Sequence, residues 1–577
     1  MADWAALKAK RAAKPSSSPA NGVRAVEANS SNPADASVRN EASASRAPAP
    51  EVVPYCHPDL PSSLEVRKLA GRGRGVVAKQ AIPAGTTLLQ TAPLLSVLDN
   101  RNLATHCSFC FRSQDDTPTQ KPLSQCSLCH IVQYCSAACQ QADWKLHKVE
   151  CKALRGVAVS SGRRIVPDTP IRALGRLLWK KELEGEKLWS EIESLQSHRE
   201  ALSPEEQERF FQLSVALAQY VGSQDLVSKA VGGSGRGMMD FCSRFTSNSF
   251  SLTSPSDVTN IGVSISPLTA LFNHSCAPNA VVVFPSFPSP SQPRHMEVIA
   301  LRDIKPGDEV LTSYVDLALP GGERRRELKE RYHFDCDCEE CEPKEGRVDP
   351  REAVECQEKG CGALIALPTQ AASSTTSSVS CSTCGTVASY KDVYLAVDAA
   401  KQALADAEKV QYSDPKLATL HLQHLITSLT TSLSPSPPLA ASTYPLLPAY
   451  QLLLTLQLHS SLFSTAHFTA LTAYRGASLL YPPSHPVLAV LLSTLARLET
   501  IPPPAEAGPA AEMAYWGDEP RRAKGIARVV RAIQEAEGAF GRKSGGGEME
   551  KRLRALLRDQ EEGVAMARKV RAAGMGA

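Results

Sequence analysis

The stretch "FNHSCAPNA", Phe272 to Ala280, decides how this chain is read. It follows an apolar-rich run, "IGVSISPLTALF", and sets a histidine and a cysteine between two asparagines. Three chemistries compete for it: a Cys/His catalytic pair, a metal site, or a turn that binds through its backbone. A nucleophile and its base are normally brought together by the fold, not by adjacency in sequence, so the protease reading is weak. The other two readings depend on what the rest of the chain supplies.

Cysteine supplies the strongest signal. The chain has 577 residues and 17 cysteines, and they are clustered. Clustered cysteines without a secretory signal are metal ligands more often than disulfides. The first cluster runs Cys107-x2-Cys110, Cys126-x2-Cys129, Cys135-x3-Cys139 and His147-x3-Cys151. These are eight ligands in four pairs, enough for two tetrahedral zinc ions. A module this short builds too small a core to fold alone, so metal supplies the folding energy. His106 and His130 flank ligand cysteines and are expected to point away. The second cluster, Cys336, Cys338 and Cys341, is one ligand short, and Cys276 of the opening stretch is the candidate fourth. The third, Cys356, Cys361, Cys381 and Cys384, has the spacing of a zinc ribbon with a loose first knuckle. Cys56 and Cys242 are left over and read as plain thiols.

Composition and patterning place these clusters. A hydrophobic fraction of 43% and a charged fraction of 21% fit a soluble multidomain protein. No stretch matches a membrane span; the most apolar, "LLPAYQLLLTLQLHSSLF", carries Gln, His and Ser. The formal net charge of +3 is too small to argue for nucleic acid or membrane. Loading four thiolate-rich sites would shift it to about −4. Residues 1–60 read as a disordered tail, 61–106 as short strands, 107–151 as the cysteine-rich finger and 152–245 as helical. Within the last, "SPEE" at Ser203–Glu206 is a helix start. Residues 246–335 return to strands and turns, 336–345 hold the second cluster and 350–390 the third. Residues 391–500 repeat apolar positions at three- and four-residue spacing, as paired helices broken at "SPSPP" and "YPPSHP". Residues 501–577 form a charged extension ending in an exposed helix.

The finger closely resembles the MYND zinc finger; "YCSAACQQADWKLHKVEC" is nearly its signature. That resemblance implies interleaved pairs, with Cys107, Cys110, Cys135 and Cys139 on one zinc and Cys126, Cys129, His147 and Cys151 on the other. It also implies a module that binds proline-rich peptides. Together with "GRGRGVVA", "NSFSL", "GVSISPLTALFNHSCAPNA", "PGDEVLTSYVD" and "RYHFDCDCEEC", the chain resembles the SET- and MYND-domain (SMYD) family of S-adenosylmethionine-dependent lysine methyltransferases.

The resemblance implies an α+β multidomain fold. A SET β-fold is split by the finger and followed by a post-SET zinc site and an all-α, TPR-like C-terminal region. It implies that Arg72, Gly73 and Arg74 cradle the cofactor and that Asn248, Asn273 and His274 contact it. Phe334 is expected to pack on the adenine. Tyr314 and Tyr332 are expected at the methyl-transfer channel, and Cys276 completes the zinc of Cys336, Cys338 and Cys341. "GRGRGV" is not a dinucleotide fingerprint, because Val76 stands where the third glycine belongs. The partner so implied is a protein or peptide presenting a lysine, histone or non-histone, in cytoplasm and nucleus. The competing readings are a catalytically silent zinc scaffold or corepressor, and methylation of a non-lysine acceptor.

Overall fold

A computed structural model describes residues 51–52, 57–114, 116, 121–161, 165–231, 235–287, 294–342, 347–367, 378–389, 393–430, 438–502, 514–516, 518–542 and 546–572. The tail expected at 1–50 and the leftover Cys56 lie outside the described residues. The expected boundary at 60 moves forward, because Glu51–Val52 pairs with Arg67 and Lys68 as a third strand.

The β core is made of three small antiparallel sheets stitched from two distant parts of the chain. Leu64–Leu69 and Gly73–Ala78 form a hairpin in register from Leu64 opposite Ala78 to Leu69 opposite Gly73. Its turn needs Gly71 and Gly73, both at φ +71°, a region that penalises any Cβ. Thr87–Thr91 pairs with Met296–Ala300, which also pairs with Ala280–Val283. Leu95–Leu98 pairs with Asn260–Ile265, which also pairs with Ser249–Thr253. Strands before residue 99 are thus completed by strands after 248, and everything between is an insertion. Val66, Val76, Leu89, Phe272, Val298 and Val310 are among the side chains that close the core.

The insertion begins with the finger: a hairpin of Ser124–Gln125 and Gln133–Tyr134, then the helix Ala137–Ser161. Among the described residues five α-helices follow, from Thr169–Glu184 to Gly235–Ser247. The expected start at Ser203 is present as a reciprocal cap. Ser203 Oγ accepts from Glu206 N at 3.3 Å, and Glu206 Oε2 accepts from Ser203 N at 3.0 Å.

After the core come two short hairpins, Ala353–Glu355 with Leu364–Ala366 and Ser378–Ser380 with Val387–Ser389. The helices Val393–Val410, Pro415–Thr430, Leu446–His459, Phe463–Ala477 and Pro486–Glu499 then pack on one another in sequence order. The extension does not stand apart as expected. Helix Glu519–Phe540 buries Val529, Ala532, Ile533, Ala536 and Phe540 against Ala489 and Leu492, and against Val283 and Ile299 of the β core. Apolar residues recur on one face of an otherwise charged helix, and that stripe drives the docking. The last helix, Gly547–Ala572, adds Met549 and Leu553 to the same cluster. Glu548 N donates to Pro285 O at 2.9 Å, and Arg552 pairs with Asp116 of the finger. Its other face is exposed, as at Lys551, Arg558 and Met566, as expected. Among the described residues no helix is long and apolar enough to cross a membrane.

Candidate cofactor and metal centres

The fold gathers the cysteines into four groups. They are Cys107, Cys110, Cys135 and Cys139; Cys126, Cys129, His147 and Cys151; Cys276, Cys336, Cys338 and Cys341; and Cys356, Cys361, Cys381 and Cys384. In each, the ligand atoms lie within 4.8 Å of one another. A tetrahedron with ligands ~2.3 Å from a central ion has edges of ~3.8 Å. The Cys110–Cys135, Cys126–Cys151, Cys276–Cys341 and Cys361–Cys381 sulfur separations are 3.5, 3.9, 3.7 and 3.7 Å. These suit a shared ion and are far too long for disulfides. The donor set, four thiols or three with an imidazole, fits a closed structural metal site. Cys242 is separate, buried beside Ser214.

The Phe272–Ala280 stretch threads against the segment 309–314. Asn273 O accepts from Thr312 N at 2.9 Å, and Ser275 N donates to Thr312 O at 2.9 Å. Asn279 clamps the same segment with both ends of its amide. Its Oδ1 accepts from Leu311 N at 2.7 Å and its Nδ2 donates to Glu309 O at 2.8 Å. Asn273 Nδ2 donates to Glu309 Oε1 at 2.8 Å and to Arg74 O at 3.1 Å, and Arg72 Nη1 donates to Glu309 Oε2 at 2.8 Å. Glu309 therefore joins the glycine loop to the asparagine, a role that no spacing in the sequence announced. Arg72 also reaches Asp337 at 3.2 Å, while Arg74 turns to the carbonyl of Ser194. Gly75 lies beneath this knot with no room for a side chain.

His274 is fully committed within the protein. Its Nδ1 accepts from Tyr314 N at 3.0 Å, which leaves the proton on Nε2, and Nε2 lies 3.3 Å from Cys276 Sγ. The imidazole thus braces both a tyrosine and a metal-group sulfur, and no ring nitrogen remains for a ligand. Asn248 is likewise engaged: its Nδ2 donates to Arg244 O at 2.8 Å and Gln196 O at 2.9 Å. Those bonds bring the segment 194–198 to the site, which sequence reasoning missed; Arg244 and Ser243 hold the same segment through Leu195 O and Ser197 O.

Tyr314, Tyr332 and Phe334 cluster with His274. The Tyr314 and Tyr332 ring centres are 4.9 Å apart, and Phe334 lies 5.9 Å from His274. Tyr314 Oη donates to Phe272 O at 2.8 Å and Tyr332 Oη to Tyr314 O at 3.4 Å. Burial raises both phenol pKa values, and each acts on the other elements of the site as a neutral hydroxyl. The segment after Tyr314 is held from the C-terminal half. Tyr481 Oη donates to Asp316 Oδ1 at 2.9 Å, and Arg351 Nε donates to Leu317 O at 2.5 Å. An open cleft of about 650 Å³ is lined by Ser203, Glu206, Lys329 and His333 among others. His333, one of its lining residues, lies between Tyr332 and Phe334 in the chain.

Comparison with known proteins fits this geometry. The SET domain model matches residues 73–315, the span that holds Gly73 to Gly75 of the glycine loop, the Phe272–Ala280 turn and Tyr314. This span is similar to a SET domain. N-lysine methyltransferase SMYD2-B of Xenopus laevis is 31% identical over 290 residues, which is 49% of this chain and 62% of the relative. N-lysine methyltransferase SMYD2 of Homo sapiens is 30% identical over 283 residues, 48% of this chain and 59% of the relative. The chain thus spans about three fifths of the length of these relatives. A solved SET domain of LSMT with methyllysine and AdoHcy aligns over 89% of this chain and 92% of that one, at 14% identity. Its TM-score of 0.26 is too low to bear on the fold.

Proposed function

We propose that the protein is an S-adenosylmethionine-dependent protein-lysine N-methyltransferase with zinc in all four cysteine groups. One observation carries this reading: four of the five residues Phe272–Cys276 serve every part of such a site. Phe272 O receives the Tyr314 hydroxyl, Asn273 ties down the glycine loop, His274 braces the Tyr314 amide, and Cys276 enters the four-sulfur group.

When bound, S-adenosylmethionine supplies an activated methyl on a sulfonium sulfur. The chain's own residues have to orient a lysine amine in line with it, keep water out and favour the uncharged amine. Tyr314 and Tyr332 remain protonated because burial opposes the phenolate. Each hydroxyl donates to a backbone carbonyl and keeps lone pairs that can accept from the amine's N–H groups. A dry aromatic wall disfavours an ammonium and so lowers the lysine pKa. In this reading Arg74, which meets only a neutral carbonyl here, is better placed than Arg72 to receive the cofactor carboxylate. Asn273 and the His274 backbone lie along the same edge. Phe334 remains the proposed adenine contact.

The substrate is a protein or peptide presenting lysine. On the finger, Leu128 and Trp144 are exposed, a surface that suits a proline-rich peptide. Loss of proline-rich peptide capture in Trp144→Ala would test that contact. The main test is calorimetric binding of S-adenosylmethionine to the zinc-replete chain, followed by transfer of labelled methyl to lysine-containing peptides. The reading expects micromolar binding, lost in Asn273→Ala. A folded, zinc-loaded chain that binds no cofactor overturns it and leaves a peptide-binding scaffold.

A further inference from the structure

The finger's mixed site does not end at its ligands. His147 presents Nε2 to the sulfurs, 3.7 Å from Cys129, and sets Nδ1 against Glu150 Oε2 at 3.2 Å. Glu150 is wholly buried. Its partners come from outside the finger, on helix Thr169–Glu184: Arg176 Nη1 at 2.6 Å from Oε2, and Arg172 Nε at 3.4 Å from Oε1. Arg176 also grips Asp143, which accepts from Tyr134 Oη at 2.8 Å. Arg172 Nη1 runs on to Leu98 O and Asn100 Oδ1, both at 3.1 Å. Leu98 ends the strand that pairs with Asn260–Ile265, just ahead of the Phe272 turn.

The charges explain why two arginines are needed. A zinc with three thiolates and one imidazole is formally −1. Glu150 and Asp143 add a negative charge each, in surroundings almost closed to water. The arginines offset two of these three charges.

We propose that Arg172 and Arg176 are positioning residues for the zinc of Cys126, Cys129, His147 and Cys151. Through Glu150 they fix the orientation of His147, and so this finger zinc is held by the helical insert and works as a strut of the β core. The finger is then an integral part of the domain and not a detachable module. An oriented imidazole binds zinc more tightly, and loss of such an outer partner costs ~10–100-fold in metal affinity.

The test is zinc release from the full chain to excess chelator, followed by a colorimetric zinc indicator, and it does not depend on methyl transfer. In Arg176→Met, one zinc equivalent should leave about 10–100 times faster than in the parent while the others keep their rates. With cobalt in place of zinc, the lost absorption should be that of the three-sulfur, one-nitrogen site and not of the four-sulfur sites. Arg176→Lys keeps the charge but loses the two-pronged contact, and should show the same single fast equivalent by a smaller factor. It also decides the matter if the Met variant does not fold. Unchanged release in a folded variant, or acceleration confined to a four-sulfur site, overturns the proposal.

Discussion

Gly75→Ala is the sharpest probe of the site, because the structure states what the new methyl would meet. An added Cβ would lie 2.5 Å from Leu69 Cδ1, 2.6 Å from Glu309 Oε1 and 2.8 Å from Asn273 Nδ2. The leucine methyl can rotate away. Glu309 and Asn273 cannot both move without breaking their mutual 2.8 Å bond, and with it the ties to Arg72 and Arg74 O. A hydrogen bond to a charged group contributes ~1.5–3 kcal/mol, and overpacking costs ~1–3 kcal/mol. The two overlap, and alanine returns ~0.4–1 kcal/mol by restricting the unfolded chain. A net loss of ~2–3 kcal/mol follows. Gly73→Ala is the control: at φ +71° it strains the backbone by ~1 kcal/mol, but its Cβ meets nothing within 4 Å. Thermal unfolding of the zinc-replete protein should fall by ~5–10 °C for Gly75→Ala, at ~2–4 °C per kcal/mol, and clearly less for Gly73→Ala. S-adenosylmethionine affinity should drop at least about tenfold in Gly75→Ala, since Asn273 loses its position. If the two variants lose equally little stability and Gly75→Ala binds cofactor normally, the Asn273–Glu309 knot is not a constraint and the reasoning fails.

Other predictions address the remaining parts. Tyr314→Phe removes only the hydroxyl on Phe272 O, so it should leave cofactor binding within about twofold and lower methyl transfer by about 10²-fold; equal loss of both would make Tyr314 structural. Cys384→Ser should reduce bound zinc from four equivalents to three without unfolding the chain, because this group contains the exposed cysteine; elemental analysis retaining four would remove Cys384 as a ligand. Burial holds the His485 imidazole down at about 3, against an ordinary value of 6.5. The folded state therefore binds fewer protons there than the unfolded state, and its contribution is full above 6.5 and lost as pH falls toward 3. Going from pH 7 to pH 5 should cost up to ~2 kcal/mol at this site. His485→Asn keeps a cap acceptor for Val487 N but does not titrate, so it should flatten the fall in unfolding midpoint between those pH values. An unchanged slope would place the titration elsewhere.

What the sequence could reveal here depends on how far apart the interacting residues lie. Ligand spacing is local, so each cysteine cluster was readable as such. That Cys276 joins Cys341, 65 residues on, rested on the three-cysteine cluster lacking a fourth ligand and on a family resemblance. The Ser203 cap was readable because its two bonds span three residues. Glu309 was not, because its importance lies in meeting Arg72, 237 residues earlier. His274 shows the same limit at short range: nothing in "NHSC" tells that one ring nitrogen takes the Tyr314 amide and the other faces Cys276. The docking of helix Glu519–Phe540 was not legible for a physical reason. Its buried face is built largely from alanine at positions 532, 536 and 539, which adds little to a hydrophobicity pattern yet lets Phe540 and Ile533 approach Val283 and Ile299 closely. Small residues in a charged helix signal close packing only when the opposing surface is known, and that surface is a sheet some 240 residues away in the chain. The half that holds the tyrosine pair and the helical half are therefore packed together. Tyr481 and Arg351 hold the segment that follows Tyr314, so a change in the helical region reaches the tyrosine pair through Asp316 and the Leu317 backbone.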